Sequence, residues 1–205
     1  MSLKHSYRFI APLYDAGVAA ATQGARKRSL ELLPRHTSNR VLMCGVGTGL
    51  DMPYLPPCHS YTALDLTPAM LHRALRRAQG LSVQWVLGDA MTLPFATHSF
   101  DHVVLHLILA VVPQPQLCLA EAARVLKPGG RVLLFDKFLR RGERAWVRRS
   151  LSPLVGRLAT RLDVVFEDVL QATSGLRVLS DEPAMAQGWF RLIELQKEAT
   201  HGANI

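Results

Sequence analysis

Three glycines stand at alternate positions directly after a short apolar run, at Gly45, Gly47 and Gly49. Glycine lacks a Cβ, so a turn of this kind lets a ligand approach the backbone closely. A dinucleotide fingerprint G-x-G-x-x-G needs glycine at position 50, where this chain has Leu50. The sequence also lacks the G-x-x-x-x-G-K-[ST] motif that cradles phosphates. The spacing therefore argues against both a dinucleotide site and a P-loop.

Two aspartates and a histidine end later apolar runs, where they can contact a nucleoside. Asp65 follows the start of the glycine turn by about 20 residues, a distance at which a carboxylate accepts hydrogen bonds from a ribose diol. Asp89 can accept a hydrogen bond from the exocyclic amine of adenine, while the Ala90 backbone contacts the ring edge. We expect His106 to form part of the cofactor wall, and the alternative for this residue is a general base. The alternative for Asp65 is a helix cap or a loop carboxylate.

Neighbouring parallel strands are needed to bring these residues together. From residue 20 to residue 136, apolar runs alternate with helical patterns, which is the rhythm of βαβ units. In a sheet of this kind, ligands bind at the carboxyl ends of the strands. The expected strands are Arg40–Gly45, Tyr61–Asp65, Val83–Leu87, Asp101–His106 and Arg131–Asp136. The expected helices are Thr22–Leu33, Pro68–Ala78 and Gln114–Leu126, the last of them ended by a turn at Lys127–Gly130.

The pattern changes after Asp136. Arg144–Arg161 has helical periodicity with a break at Ser152-Pro153, and two strands are expected at Leu176–Asp181 and Trp189–Gln196. The loop between these strands contains Pro183 and is too short for a crossover helix, so at least one strand should run antiparallel. We therefore expect an α/β fold: a mostly parallel seven-stranded sheet with an antiparallel C-terminal strand and helices on both faces.

Composition limits the class of protein. A chain of 205 residues that is 49% hydrophobic and 20% charged fits a single globular domain over 1–205. The cysteines Cys44, Cys58 and Cys118 are far apart and form no metal-ligand pattern, so neither a disulfide framework nor a metal site is expected. There is no signal-peptide core, and the most apolar stretch, Val103–Val112, is too short to span a bilayer. The sequence favours a cytoplasmic protein, peripheral at most on the inner face of the membrane.

Positive charge is concentrated in one segment. The net charge is +8, and the segment from Lys137 to Arg161 holds eight basic residues against Glu143 alone, a local net of +7. Such an excess indicates an anionic partner, either a membrane surface or a nucleic acid. A solvated helix face is the alternative.

Five segments, taken in order and at their separations, resemble the motifs of class I S-adenosylmethionine (SAM)-dependent methyltransferases. They are Val41–Gly49, Ala63–Leu71, Gly88–Phe95, Ser99–Asp101 and Leu126–Gly130. The resemblance implies a Rossmann-like fold with SAM as the cofactor. Cys44 departs from the family pattern, because the residue before the first glycine is usually an acid that helps hold the SAM ammonium. The cofactor-binding set is then Cys44, Gly45, Val46, Gly47, Gly49, Asp65, Leu66, Asp89, Ala90 and His106.

Two segments indicate what kind of methyl acceptor the chain uses: an aromatic segment, Tyr7–Asp15, and the basic segment. Residues 1–35 are expected to form a helical lid that offers Tyr7 and Tyr14 as catalytic residues, since tyrosine rings stabilise a methylated ammonium by cation–π contact. The alternatives for the aromatic segment are simple packing or a membrane-facing amphipathic segment. Tyr14, or a water held by Asp15 or Asp136, could take the proton of an amine acceptor. Residues 137–170 are expected to form a basic helical insertion over the acceptor site.

Together with Leu105–Pro113 and Ser174–Val178, the aromatic segment resembles bacterial phospholipid N-methyltransferases. That resemblance implies phosphatidylethanolamine as the acceptor and an anionic membrane surface as the partner. Quinone-pathway C-methyltransferases share much of the amino-terminal pattern, and small-molecule O- or S-methyltransferases are further alternatives.

Two classes remain beside these enzymes. A SAM-fold binding protein that has lost catalysis would account for Cys44. An RNA methyltransferase would use the basic surface, but the chain lacks an appended recognition module and an aromatic-studded basic loop. No nucleic-acid partner is therefore expected.

Overall fold

A computed structural model describes residues 7–139 and 164–199, with the backbone alone for most of residues 7–19. In the described part, helices separate most of the first five strands, and two further strands lie near its carboxyl end. Its helices are α1 (Tyr7–Leu30), α2 (Pro68–Leu75), α3 (Pro115–Val125) and α4 (Phe166–Gln171), with 3-10 turns at Met52–Tyr54 and Ala186–Gly188. Its strands are β1 (Arg40–Cys44), β2 (Ser60–Asp65), β3 (Ser82–Leu87), β4 (Phe100–His106), β5 (Leu126–Lys137), β6 (Leu176–Met185) and β7 (Phe190–Lys197).

The strands form one seven-stranded sheet in the order β3-β2-β1-β4-β5-β7-β6. The five strands from β3 to β5 pair in parallel, while β7 runs antiparallel to both of its neighbours. The predicted α/β, mostly parallel arrangement is therefore confirmed. The strand order reverses between β1 and β4, and such a switch point opens a crevice at the carboxyl ends of the strands.

Both faces of the sheet are covered, because successive residues of a strand point to opposite faces. In β1, Leu42 and Cys44 belong to a buried cluster that contains the apolar residues of α3 and α4. Val41 and Met43 belong to a second cluster, with Leu30 from α1 and residues of α2. Burial on both sides explains why the strands β1, β2 and β4 read as continuous apolar runs.

Three predicted boundaries are wrong. The first helix begins at Tyr7 rather than Thr22, so the aromatic segment is helical. The segment Lys127–Gly130 lies at the start of β5 and not in a separate turn, beside a register shift between β4 and β5. Pro183 lies inside β6 and not in a loop. β6 is an edge strand with a second register shift at Pro183/Met185, which are the places where a sheet tolerates proline.

The predicted helix Arg144–Arg161 and most of the basic insertion lie outside the described residues. Within the described ranges, none of the helices combines the length and the apolar character needed to cross a membrane.

Candidate functional site

The glycine turn follows β1 and is fixed to β2. The backbone amides of Gly45 and Val46 both donate to the Leu64 carbonyl, at 2.8 and 3.0 Å. Gly47 has φ of +55°, and a Cβ added there would meet no atom within 4 Å, so this part of the loop faces open space. At Gly49 (φ +79°), a Cβ would lie 2.7 Å from the Ala74 Cα, because α2 packs directly against the loop. The turn is thus closely packed behind and open in front, as a ligand cradle requires.

Asp65 ends β2 and connects two backbone segments. Its Oδ2 accepts a hydrogen bond from the Gly47 amide at 2.8 Å, and its Oδ1 accepts one from the Thr67 amide at 2.9 Å. A carboxylate oxygen can accept more than one hydrogen bond, so both oxygens can still receive the hydroxyls of a ribose. The neighbouring Leu66 is 70% exposed. An apolar side chain beside this carboxylate fits the flat face of a nucleoside base.

Asp89 and Ala90 follow β3, the strand next to β2. The Gly88 amide donates to the Asp65 carbonyl at 3.0 Å, which keeps the two strand ends together. Asp89 Oδ1 accepts a hydrogen bond from the Met91 amide at 2.8 Å, and Ala90 is buried. Since β3, β2 and β1 are adjacent, the fold brings together the three groups expected to contact ribose, adenine and the remainder of SAM.

His106 ends β4 and is buried, with both ring nitrogens in hydrogen bonds. Its Nδ1 donates to Asp51 Oδ1 at 2.9 Å, and its Nε2 lies 2.9 Å from Ser29 Oγ on α1. Arg26 Nη1 donates to the same Asp51 oxygen at 2.8 Å. Burial opposes ionisation of Asp51, but His106 and Arg26 outweigh it and hold the pKa of this carboxyl well below its usual range. The histidine therefore belongs to a buried polar network, and its place in the cofactor wall stays a prediction.

Sequence reasoning missed the other members of this network, Arg26, Ser29 and Asp51. Asp51 carried one usable signal, a carboxylate between Leu50 and Met52 just beyond the glycine turn. A charged residue in an otherwise apolar stretch needs a buried partner.

Cys44 is 3% exposed and lies in the core beside Cys118. A hydrogen bond with Cys118, together with burial, raises the pKa of the Cys44 thiol well above its ordinary value. The position therefore contributes a neutral thiol and brings no negative charge to the glycine turn.

Asp136 is the next-to-last residue of β5 and is 1% exposed. It accepts hydrogen bonds from the Ala110 amide at 3.1 Å and from the Lys137 amide at 2.8 Å. Burial raises the pKa of Asp136 to about 6. The carboxylate thus holds the loop after β4 in place through the Ala110 amide, and its role in holding a water for proton transfer stays a prediction.

The two tyrosines expected to be catalytic lie on α1 at positions 7 and 14, but their side chains are outside the described part of the chain, as are the arginines from Arg140 to Arg161. In the described ranges, no cluster of three or more His, Cys, Asp or Glu side chains could hold a metal ion.

Comparison with known proteins gives concordant findings. Residues 42–134 match the family model described as a methyltransferase domain. Over 190 residues, the chain is 30% identical to a phosphatidylethanolamine N-methyltransferase of Cereibacter sphaeroides, covering 90% of this chain and 93% of that protein. Over 113 residues, it is 43% identical to a ubiquinone/menaquinone biosynthesis C-methyltransferase of Ruegeria sp., covering 51% of this chain and 44% of that protein.

Among solved structures, a Haloferax volcanii protein in complex with the Trm112 methyltransferase activator superposes with a TM-score of 0.76. The two chains are 19% identical, and the superposition covers 98% of this chain and 99% of the other. At this identity, the likeness concerns the fold alone.

Proposed function

Because this chain belongs to the SAM-dependent methyltransferases, we propose that it transfers methyl groups from SAM to the amine of phosphatidylethanolamine at a membrane surface. The observation that carries the choice of acceptor is the length of the match to the N-methyltransferase. That similarity runs through nearly the whole of both chains, including the regions outside the methyltransferase domain. The stronger identity to the quinone enzyme covers less than half of that enzyme.

In this proposal the cofactor lies across the carboxyl ends of β1, β2 and β3. Asp65 accepts hydrogen bonds from the ribose hydroxyls, Asp89 and the Ala90 backbone contact the adenine, and Leu66 covers the ring. The backbone from Gly45 to Gly49 faces the methionine part. When bound, SAM supplies an electrophilic methyl group on a sulfonium.

The acceptor nitrogen must present a lone pair to that methyl group. An ammonium headgroup therefore loses one proton first, and water can take it. A nitrogen–carbon bond then forms while the carbon–sulfur bond breaks, and the electron pair of that bond stays on sulfur. No covalent enzyme intermediate is needed, so positioning supplies much of the catalysis.

The loop after β4 supports an acceptor with an apolar part. Val111 in this loop is 47% exposed, and Asp136 fixes the loop through the Ala110 amide. Leu107 has φ of +57° at the carboxyl end of β4, a strained backbone for a bulky residue. Strain of this kind persists only where neighbouring contacts enforce it, so the loop offers a fixed apolar wall beside the crevice.

The deciding experiment incubates the purified protein with SAM carrying a radiolabelled methyl group and vesicles that contain phosphatidylethanolamine. We expect label in the monomethyl lipid or its further methylated products. Parallel reactions contain a demethylated quinol in the same vesicles, or RNA. Label in the quinol alone would favour the C-methyltransferase, the second candidate supported by the 43% identity. Label in RNA alone would contradict both.

A further inference from the structure

A buried chain of polar groups connects α1 to the cofactor site. Arg26 Nε donates to Thr22 Oγ1 at 3.0 Å, and Arg26 Nη1 donates to Asp51. Asp51 in turn accepts from His106, which contacts Ser29. The sequence carboxylate, imidazole, hydroxyl is that of a hydrolytic triad, but all three side chains are buried. An acyl substrate could not reach the hydroxyl, so the network does not act as a nucleophile.

The network joins three elements at one point. Asp51 lies two residues beyond Gly49, and the Met52 amide donates to the Gly49 carbonyl at 3.1 Å. His106 is the last residue of β4. Arg26 and Ser29 lie on α1. A buried ion pair is tolerated only with good geometry, so the network allows few positions of α1 relative to the glycine turn.

The direction of α1 follows from its contacts. Ala25 packs with Phe135 near the carboxyl end of β5. Leu30 and Leu33 belong to the cluster that contains Val41 and Met43, deeper in the sheet. The helix therefore runs antiparallel to β1, and residues 7–21 extend past the carboxyl edge. At 1.5 Å per residue, these 15 residues reach about 22 Å beyond the network.

We propose that Asp51 and His106 are positioning residues that couple SAM binding at the glycine turn to the placement of the amino-terminal half of α1 over the acceptor crevice. A ligand that orders the turn fixes Asp51 through the Gly49 contact. Asp51 then fixes Arg26, and His106 fixes Ser29. This coupling requires only the cofactor, so it does not depend on which acceptor the enzyme uses.

The test is amide hydrogen exchange with and without S-adenosylhomocysteine. In the wild-type protein we expect the ligand to slow exchange within residues 7–21 by about tenfold, a coupling of ordinary size between two sites. In Asp51→Asn and His106→Gln, that slowing should disappear, while calorimetry still detects ligand binding. A network that is merely structural would lower Tm in these variants and leave the ligand-dependent slowing unchanged.

Two further variants keep the proposal falsifiable. Ser29→Ala removes only the hydroxyl on the helix side and leaves the ion pair intact, so it should fold and show reduced coupling even if Asp51→Asn does not fold. Asp101→Asn is the matched control, because Asp101 also pairs with a cation, Lys127, but at the amino edge of the sheet. It should retain the wild-type response. Ligand binding without slower exchange in wild type, or full coupling in Ser29→Ala and His106→Gln, would overturn the proposal.

Discussion

Asp65 performs two tasks with one carboxylate, since it holds the glycine turn and faces the place proposed for the ribose. Loss of the side chain leaves the ribose hydroxyls poorly paired, at a cost of about 1.5–3 kcal/mol. We therefore expect Asp65→Ala to weaken SAM binding roughly tenfold or more, as measured by calorimetry.

The matched control for this substitution is Asp101→Ala. Asp101 also accepts a hydrogen bond from a backbone amide, that of Arg40, at 2.9 Å. It lies near the amino-terminal end of β4, away from the carboxyl ends of the strands. It should change Tm and leave SAM affinity unaltered. Unchanged SAM affinity in a folded Asp65→Ala variant would show that Asp65 does not contact the cofactor.

Cys44 offers a second test at the scale of a residue. We expect Cys44→Glu to bind SAM at least as tightly as wild type, because the new carboxylate supplies a partner for the ammonium. The buried carboxylate should destabilise the fold and lower Tm, since position 44 is buried beside Cys118. Cys44→Ser controls for loss of the thiol. Weaker binding by a folded glutamate variant would mean that the turn has packed around a small neutral side chain.

Among the elements of the chain, the basic segment from Lys137 to Arg161 is the one expected to bind an anionic membrane. Each cation near an anionic bilayer contributes roughly 1 kcal/mol. Replacing Arg144, Arg148 and Arg149 by glutamate should therefore abolish co-sedimentation with acidic vesicles and spare SAM binding. Binding of the wild-type protein to acidic vesicles should weaken as added salt screens the surface charges.

A control with the same change of charge uses Lys27, Arg35 and Arg76, which are exposed and lie outside the segment. Its binding to acidic vesicles should stay near wild type. Equal binding of the wild-type protein to neutral and acidic vesicles would contradict docking through this segment.

Continuous apolar runs made β1, β2 and β4 readable from the sequence, because a parallel strand buried on both faces has little choice of residue. The amino-terminal half of α1 was not readable, since Pro12 and the aromatic residues obscure its helical pattern. The length of β6 was hidden by Pro183, which only the strand's place at the edge of the sheet makes acceptable.

Part of the candidate site could also be predicted from the sequence, and part could not. The glycine turn, Asp65 and Asp89 follow from spacing along the chain, because each lies at or just after the carboxyl end of a strand. The network of Asp51, His106 and Ser29 depends on contacts between residues that are 55 and 77 positions apart. No local pattern encodes such a pairing.

At the scale of the whole molecule, two buried groups give opposite responses to acid. Burial lowers the pKa of His102 to about 4, and among the described residues its Nδ1 has no hydrogen-bond partner. The unfolded chain takes up this proton near pH 6.5, so stability is lost as pH falls from there to about 4. The pKa of Asp136 is raised to about 6, so its proton stabilises the native state as pH falls through that value.

Each of these two pKa shifts changes the free energy of unfolding by about 3 kcal/mol over its pH range. Relative to wild type, His102→Gln should therefore become more stable as pH falls from 6.5 to 4, and Asp136→Asn less stable from 6 to 4, as measured by urea unfolding at each pH. Parallel curves for wild type and either variant would show that the substituted group does not titrate differently in the folded and unfolded states.

The place of β7 between β5 and β6 has a consequence for synthesis on the ribosome. β6 is made before β7, yet in the sheet it pairs only with β7. Until residues 190–197 have left the exit tunnel, β6 has no strand to join, and β5 presents an open edge. Such edges are prone to wrong pairing. The completed sheet therefore forms only after translation has passed this strand, and a ribosome stalled before it would hold a chain with two unpaired edges.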